Sequence, residues 1–384
     1  MSSLPAKGHL AIWSVLFVLA SASVPVLGYL GVRTLLESRD GEVINPVEDP
    51  SQPGYQALVS PSPTLLVAHT GPSGALVGAA VLALTGDETA GGSVLLVPPP
   101  TFVDVPDIGG LSLEYVHVFN GLDSTVTLTE LVLRMGIDDV VELRTDDWTR
   151  LVEPLGTIGL TNPDELRADD GSVAFASGRL QLTADQVGPY LEFLGAGESP
   201  LNRVLRQELL WEAWLAALAE DPTALDVPGE QDRGLARFVP ELADGAHRVA
   251  TLPGQVDGLT DPDQPVLFRP DHDAIAALVP QLVPFPAGAS PGDRPLVRVL
   301  DGSGRAEILP SAVRRVAAGG GQVIMIGNAD QFDETETRIV VADETLRAAA
   351  QSVAEALGVG SVQVNDQFEE SDEITVVLGS DFTP

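Results

Sequence analysis

Residues 297–304 read VRVLDGSG, and the reading of the stretch they open decides how the chain is organised. Val297-Leu300 is a short apolar, β-branched run closed by the Asp301-Gly302-Ser303-Gly304 turn, the pattern of a buried strand. The pattern then alternates through the end of the chain. It predicts a helix over Ala306-Ala317, strands over Gln322-Ile326 and Thr337-Val341, and a helix over Glu344-Leu357 capped by Asp343. Two further strands follow, over Val362-Val364 and Ile374-Leu378. Residues 296–384 thus read as a small α/β domain of βαββαβ type.

Working back from it, Val283 to Pro295 (VPFPAGASPGDRP) has the composition of a linker, with 287–295 as the connection itself. Before it, residues 64–286 again alternate strand and helix patterns. TLLVAH at 64–69 and SVLLV at 93–97 are buried-strand runs. ALVGAAVLALT at 75–85 fits a strand or a short helix. Helix spacing marks 128–135, with Thr127 or Thr129 as its cap, and a helix start follows at Trp148. A short strand is expected at 138–143. The clearest helix is PLNRVLRQELLWEAWLAAL at 200–218, where Leu201, Val204, Leu205, Leu209, Trp211 and Leu215 form one wide apolar face.

Residues 33–63 are polar and Pro-rich, the composition of a spacer. Residues 10–32 (LAIWSVLFVLASASVPVLGYLGV) carry no charge over about 23 positions, enough to cross a ~30 Å hydrocarbon core. They are expected to form one transmembrane helix, with residues 1–9 inside and the bulk of the chain outside. A signal peptide cleaved after Ala20-Ser21-Ala22 and a buried core helix are the alternatives.

The chain has 384 residues and a formal net charge of −34, which argues against nucleic acid as a partner, since phosphates are neutralised by Lys and Arg. It has no cysteine, so disulfides, thiolate metal sites and cysteine nucleophiles are excluded. His69, His117 and His272 show no spacing of a metal site or triad. The pairs Asp138-Asp139, Asp146-Asp147 and Asp169-Asp170 put adjacent carboxylates on opposite sides of the backbone, so they read as solvated loops. The acidic run Glu369, Glu370, Asp372 and Glu373 reads as a hairpin loop.

Three separated motifs, VRVLDGSG (297–304), IGNADQFDETETRI (326–339) and ITVVLGSDF (374–382), resemble the LytR C-terminal domain. The middle region is similar to the LytR-CpsA-Psr (LCP) domain that commonly precedes it in Gram-positive envelopes. The stretches concerned are LVPPPTFVDVP (96–106), RMGIDDVVELRTDDWTRLVEPLGTIGL (134–160), LTADQVGPYLE (182–192) and PLNRVLRQELL (200–210). The resemblance implies a transmembrane helix, a central α/β/α domain and the small C-terminal domain. It also implies an enzyme that transfers a glycopolymer from a polyprenyl-pyrophosphate carrier to peptidoglycan. In that family Arg side chains grip the diphosphate, Asp carboxylates hold Mg²⁺, and the lipid fills an apolar pocket.

The implied site departs from the family at most of its positions. Pro99-Pro100 stand where the family has Arg-Asp, and Gly78-Ala79 where it has Asp-Thr. Glu192 and Leu194 replace two arginines, and Pro200 replaces an aspartate. Arg203 and Arg206, one turn apart on a helix, remain as a residual phosphate grip or as surface partners of acids such as Glu208 and Asp185. The expectation is a non-catalytic, membrane-anchored envelope protein, a pseudoenzyme with no metal or cofactor. It would bind a polyprenyl lipid, a cell-wall glycopolymer or an envelope protein. Two rivals stand beside it. One is an active phosphotransferase with a rearranged site, which would need Mg²⁺ and polyprenyl pyrophosphate. The other is a structural spacer in which the C-terminal domain does the recognition. The volume of the central pocket discriminates: a tunnel favours ligand binding, a filled core favours the spacer.

Overall fold

Buried β-branched runs and amphipathic helices assemble into two sheets with helices packed on them. The computed structural model describes residues 47–86, 90–105, 109–195, 198–224, 227, 229–230, 232–257, 266–365 and 373–384. The strands of the two main sheets are β1 (Gln56–Leu58), β2 (Thr64–Thr70), β3 (Leu76–Leu84), β4 (Gly91–Leu96), β5 (Asp139–Arg144), β6 (Ala246–Thr251), β7 (Leu296–Asp301), β8 (Gln322–Asn328), β9 (Arg338–Val341), β10 (Ser361–Val364) and β11 (Glu373–Leu378). The helices are α1 (Leu113–Asn120), α2 (Leu122–Leu133), α3 (Thr145–Val152), α4 (Ala184–Glu192), α5 (Pro200–Glu220), α6 (Gly234–Asp244), α7 (His272–Leu282), α8 (Leu309–Ala318) and α9 (Arg347–Leu357).

The central sheet runs β6-β4-β3-β2-β5. Its outer pairs β6–β4 and β2–β5 are parallel and its inner pairs antiparallel. Alternate residues of β2 and β3 feed two cores, as strand geometry requires. Leu65, Val67, Ala80 and Leu82 face α3, α4, α5 and α6. Leu66, Ala68, Ala79 and Val81 face α1, α2 and α7. Burial on both faces explains why these strands read as continuous apolar runs. The second sheet runs β1-β8-β7-β11-β9-β10, with α8 and α9 on one face.

Of the two readings of 75–85, the strand is the one observed, over Leu76–Leu84. Four local readings change. The helix expected from 128 begins at Leu122, because Gly121 takes φ 81° and ends α1 there. Thr127 and Thr129 do not cap it; their hydroxyls donate to the carbonyls of Asp123 and Thr125 one turn back, at 3.1 and 2.7 Å. The helix start at Trp148 moves to Thr145, where Asp147 accepts from Arg144 N at 2.7 Å. Leu205, placed on the apolar face of the long helix, is 53% exposed.

The spacer reading of 33–63 also changes over its last part. β1 pairs antiparallel with β8, so a segment preceding the central region is the edge strand of the C-terminal sheet. Asn328 fixes it by donating from Nδ2 to the carbonyls of Pro50 and Gln52, at 2.8 and 2.7 Å. Residues 1–46, including the expected transmembrane helix, and Glu369, Glu370 and Asp372 lie outside the described residues. Among the described residues, no helix is long and apolar enough to cross a membrane.

Candidate functional site

Of the positions that the family resemblance singles out, Gly78, Glu192, Arg203 and Arg206 lie near the junction of β3, α4 and α5, and the others do not. Ser199 caps α5 and Pro200 occupies its first turn, where a missing N–H costs nothing. Pro200 therefore starts the helix and offers no ligand atom. One turn on, Arg203 and Arg206 point inward, 6% and 2% exposed. The surface pairing with Glu208 or Asp185 does not occur. Glu208 accepts from Thr251 Oγ1 at 2.6 Å, and Asp185 accepts from Thr183 Oγ1. Arg206 instead forms a buried ion pair with Glu198 and donates to the Phe193 carbonyl.

Arg203 lies among the carboxylates of Glu114, Glu192 and Glu198. Burial pulls its guanidinium below the ordinary arginine value, while Glu114 pulls the other way. Its Nε has no hydrogen-bond partner. Burial pushes the Glu114 carboxyl above its ordinary value, opposed by Arg203.

Glu192 sits at the end of α4. Its Oε1 accepts from the Thr145 hydroxyl and lies 3.2 Å from His69 Nε2. Burial pushes its pKa up, but the bonds from His69 and Thr145 outweigh this and hold it below the ordinary value. Leu194, two residues on, is 43% exposed and turns away.

Gln207 closes the centre of the site. Its Nε2 donates to Val77 O at 2.9 Å and Leu191 O at 3.2 Å, which ties β3 to α4. A Cβ on Gly78 would lie 2.8 Å from that Nε2, so the side chain packs directly on the glycine. Ala79 points into the opposite core. Pro99 and Pro100 are buried in the turn after β4, and their carbonyls accept from Glu114 N and Phe268 N, both at 2.9 Å. Behind Gln207, Trp148, Trp211 and Trp214 pack ring to ring at 5.3–5.6 Å. The cavity left between His69, Gly78, Trp148, Gln207 and Trp211 has a volume of about 20 Å³, roughly one water. A wider hollow of about 630 Å³ lies outside it at the Gly71–Gly74 turn and mixes Arg144 with Glu142 and Asp146.

This donor set does not fit a magnesium diphosphate. Mg²⁺ asks for several oxygen ligands in octahedral array. Glu192 and Glu198 already accept from Thr145, Arg206 and Gly195 N, and Gly78 and Pro100 bring no side-chain donor. Among the described residues, no group of three His, Asp or Glu side chains is placed to hold a metal. The aspartate pairs serve the backbone: Asp138 Oδ2 accepts from Thr64 N at 2.9 Å, and Asp139 Oδ2 from Gly234 N at 2.8 Å.

Sequence reading brought Glu192, Arg203 and Arg206 together through the resemblance. It missed His69, Glu114, Thr145 and Glu198, which come from three other elements and a loop and share no spacing with them. No signal in the sequence points to them, because the need for buried acids follows only once the two arginines are seen to face inward.

No curated protein sequence matches this chain. Among solved structures, TagT of Bacillus subtilis is similar at 17% identity and TM-score 0.45, covering 62% of this chain and 92% of its own. TagV of B. subtilis is similar at 17% identity and TM-score 0.47, covering 59% and 97%. A third structure, the LytR-CPS2A-psr family protein YwtF (TagT) with bound octaprenyl pyrophosphate lipid, is similar at 17% and TM-score 0.45, covering 58% and 89%. Residues 295–382 match the family described as LytR cell envelope-related transcriptional attenuator, at the place where the three C-terminal motifs resemble it. Residues 295–382 of this chain are thus a LytR C-terminal domain.

Proposed function

We propose that this chain is a non-catalytic envelope protein that acts as a binding or scaffold component in the assembly of cell-wall glycopolymer and peptidoglycan. Its 10–32 segment would anchor it in the cell membrane in a single pass, with the amino terminus inside and the bulk extracytoplasmic. The observation that carries the reading is Gln207 seated on Gly78, with Arg206 behind it ion-paired to Glu198 and Arg203 lying among the carboxylates of Glu114, Glu192 and Glu198. A diphosphate brings two or three negative charges and needs unpaired cations to hold it. Here Glu192 and Glu198 occupy that role from within the chain, and they would repel the headgroup. The cavity of about 20 Å³ favours the scaffold form of this reading over one in which a polyprenyl chain lies inside the central domain. The partners on this reading are a cell-wall glycopolymer or an envelope protein, met at the surface.

The alternative is an active polyprenyl-pyrophosphate-dependent phosphotransferase with a rearranged site. Its support is Arg203, whose Nε is buried and unpartnered. One assay separates the two. The full-length protein in detergent is incubated with Mg²⁺, a polyprenyl-pyrophosphate-linked glycopolymer and peptidoglycan. The expected result is no phosphate release and no transfer above a boiled control. Turnover that Arg203→Ala abolishes would establish the alternative instead.

A further inference from the structure

Among the described residues, the C-terminal sheet carries helices, α8 and α9, on one face and none on the other. Along β7, Val297 and Val299 point to those helices, as do Ile374, Val376 and Leu378 of β11 and Ile339 and Val341 of β9. Strand alternation therefore sends Arg298, Leu300, Thr375, Val377, Arg338 and Val340 to the opposite face. The register sets them in two rows. Arg298, Thr375 and Val340 lie abreast, and so do Leu300, Val377 and Arg338. A groove of about 560 Å³ lies over these rows, within the size range of small-ligand sites.

The chemistry of the groove is specific. Its floor is aliphatic, from Leu300, Val340 and Val377, and among the described residues no aromatic ring lines it. At the centre stands Thr375, 4% exposed, with an Oγ1 that has no hydrogen-bond partner. A buried hydroxyl left unpaired is costly, and a ligand atom that bonds it removes the cost. Arg298 lies directly beside it on β7, held by Gln56 Oε1 at 2.9 Å, and Arg338 lies diagonally from it on β9, paired with Glu334. On the rim, Asp330 and Asp333 are exposed.

These features exclude two obvious ligands. A polyanion meets three carboxylates against two guanidinium groups, in a chain of net charge −34. A neutral sugar finds no ring to stack on among the described residues. What matches is an aliphatic body with a carboxylate at one end and an ammonium group at the other.

We propose that this groove binds a short zwitterionic peptide. Its free carboxylate is received by Thr375 Oγ1 between Arg298 and Arg338, its amine lies against Asp330 and Asp333, and its aliphatic side chains rest on the floor. Nothing in this assignment depends on the reading of the central domain, and a failure here leaves that reading intact.

The test is calorimetric titration of the full-length protein with the tripeptides Ala-Lys-Ala and Ala-Lys-D-Ala, with the first peptide amidated at its carboxyl end, and with inorganic tripolyphosphate. Either free-acid peptide is expected to bind, and their ratio tells a protein source from one ending in a D-amino acid. Amidation weakens binding about tenfold, the worth of one lost hydrogen bond to a charged group. Thr375→Val weakens it by a similar factor without lowering the thermal midpoint, since the hydroxyl has no partner within the protein to lose. Asp333→Asn, at an exposed position, weakens the free-acid peptides and not a peptide with an acetylated lysine and amino terminus. Absence of binding by both peptides, full binding by Thr375→Val, or tighter binding of tripolyphosphate than of either peptide overturns the proposal.

Discussion

Arg294, in the segment between the two α/β units, donates from Nη1 to the carbonyl oxygen of Arg134 at 2.8 Å. Arg134 ends α2 in the left-handed conformation, φ 54°, which turns its carbonyl toward the C-terminal domain. The same guanidinium donates to Ala317 O and, at 2.9 Å, to Gly321 O. A composition that reads as a linker therefore contains a buried clamp. Burial alone pushes the Arg294 guanidinium down to about 10, and among the described residues its hydrogen bonds all go to carbonyls. Arg294→Met strands these carbonyls, at a cost on the order of 3 kcal/mol. Urea unfolding is expected to split into two transitions. A single transition at the wild-type midpoint would sink the clamp.

Glu192 gives a pH prediction. Its carboxyl is held below the ordinary value of 4.5, so the folded state favours the ionised form. That stability is fully present above 4.5 and is lost as pH falls through the lower folded-state value. Glu192→Gln is expected to cost about 1 kcal/mol at neutral pH. The difference between wild type and variant should vanish in acid. A difference that stays constant down to pH 3 would contradict the assignment.

The Glu198–Arg206 pair is fully buried at the arginine and mostly so at the acid, 2% and 13% exposed. Removing only the acid leaves an uncompensated charge, so Glu198→Ala is expected to lose about 3–5 kcal/mol. The double variant Glu198→Leu/Arg206→Met should recover most of that loss. Denaturant titration of the three proteins measures it, and a double variant no better than the single one refutes the charge argument.

Trp211 fills the space behind Gln207. Trp211→Ala should cost about 3–5 kcal/mol and open a dry cavity. Such a cavity is expected to take up an apolar probe such as benzene or xenon, seen by NMR, where the wild type takes up none. Equal uptake by both proteins would mean that the core is already open.

Gly327 lets β1 approach β8. A Cβ there would lie 2.1 Å from Tyr55 O, the acceptor of the Asn328 N–H bond at 2.7 Å. Gly327→Ala is expected to detach β1 while α8 and α9 stay packed. Hydrogen exchange reads this at Val59, whose N–H donates to Ile324 O at 2.9 Å. Retained protection at Val59 would show that the strand tolerates the methyl.

The alternation of strand and helix was legible because each element buries a periodic face. β2, β3 and β4 carry apolar residues on both faces, and the long helix α5 carries its stripe. Boundaries were less legible where a glycine, and not a hydrophobic period, sets them, as Gly121 does between α1 and α2. Within the site, the absence of donors at Gly78, Pro99, Pro100 and Pro200 was readable residue by residue. The inward aim of Arg203 and Arg206 was not, since positions 203 and 206 lie one turn apart on a helix whether it faces solvent or core.

The amino-acid sequence alone determined the α/β class, the C-terminal domain and the loss of side-chain donors at the implied diphosphate site, because hydrophobic period and residue chemistry are local properties. Only the tertiary structure decided that Glu114, Glu192 and Glu198 surround the two buried arginines, that Gln207 seals Gly78, and that residues 56–58 join the far sheet. Those contacts link residues as many as 271 positions apart, as between Gln56 and Gly327. Which side chain is nearest over such separations is set by how sheets and helices pack, and no spacing along the chain encodes it.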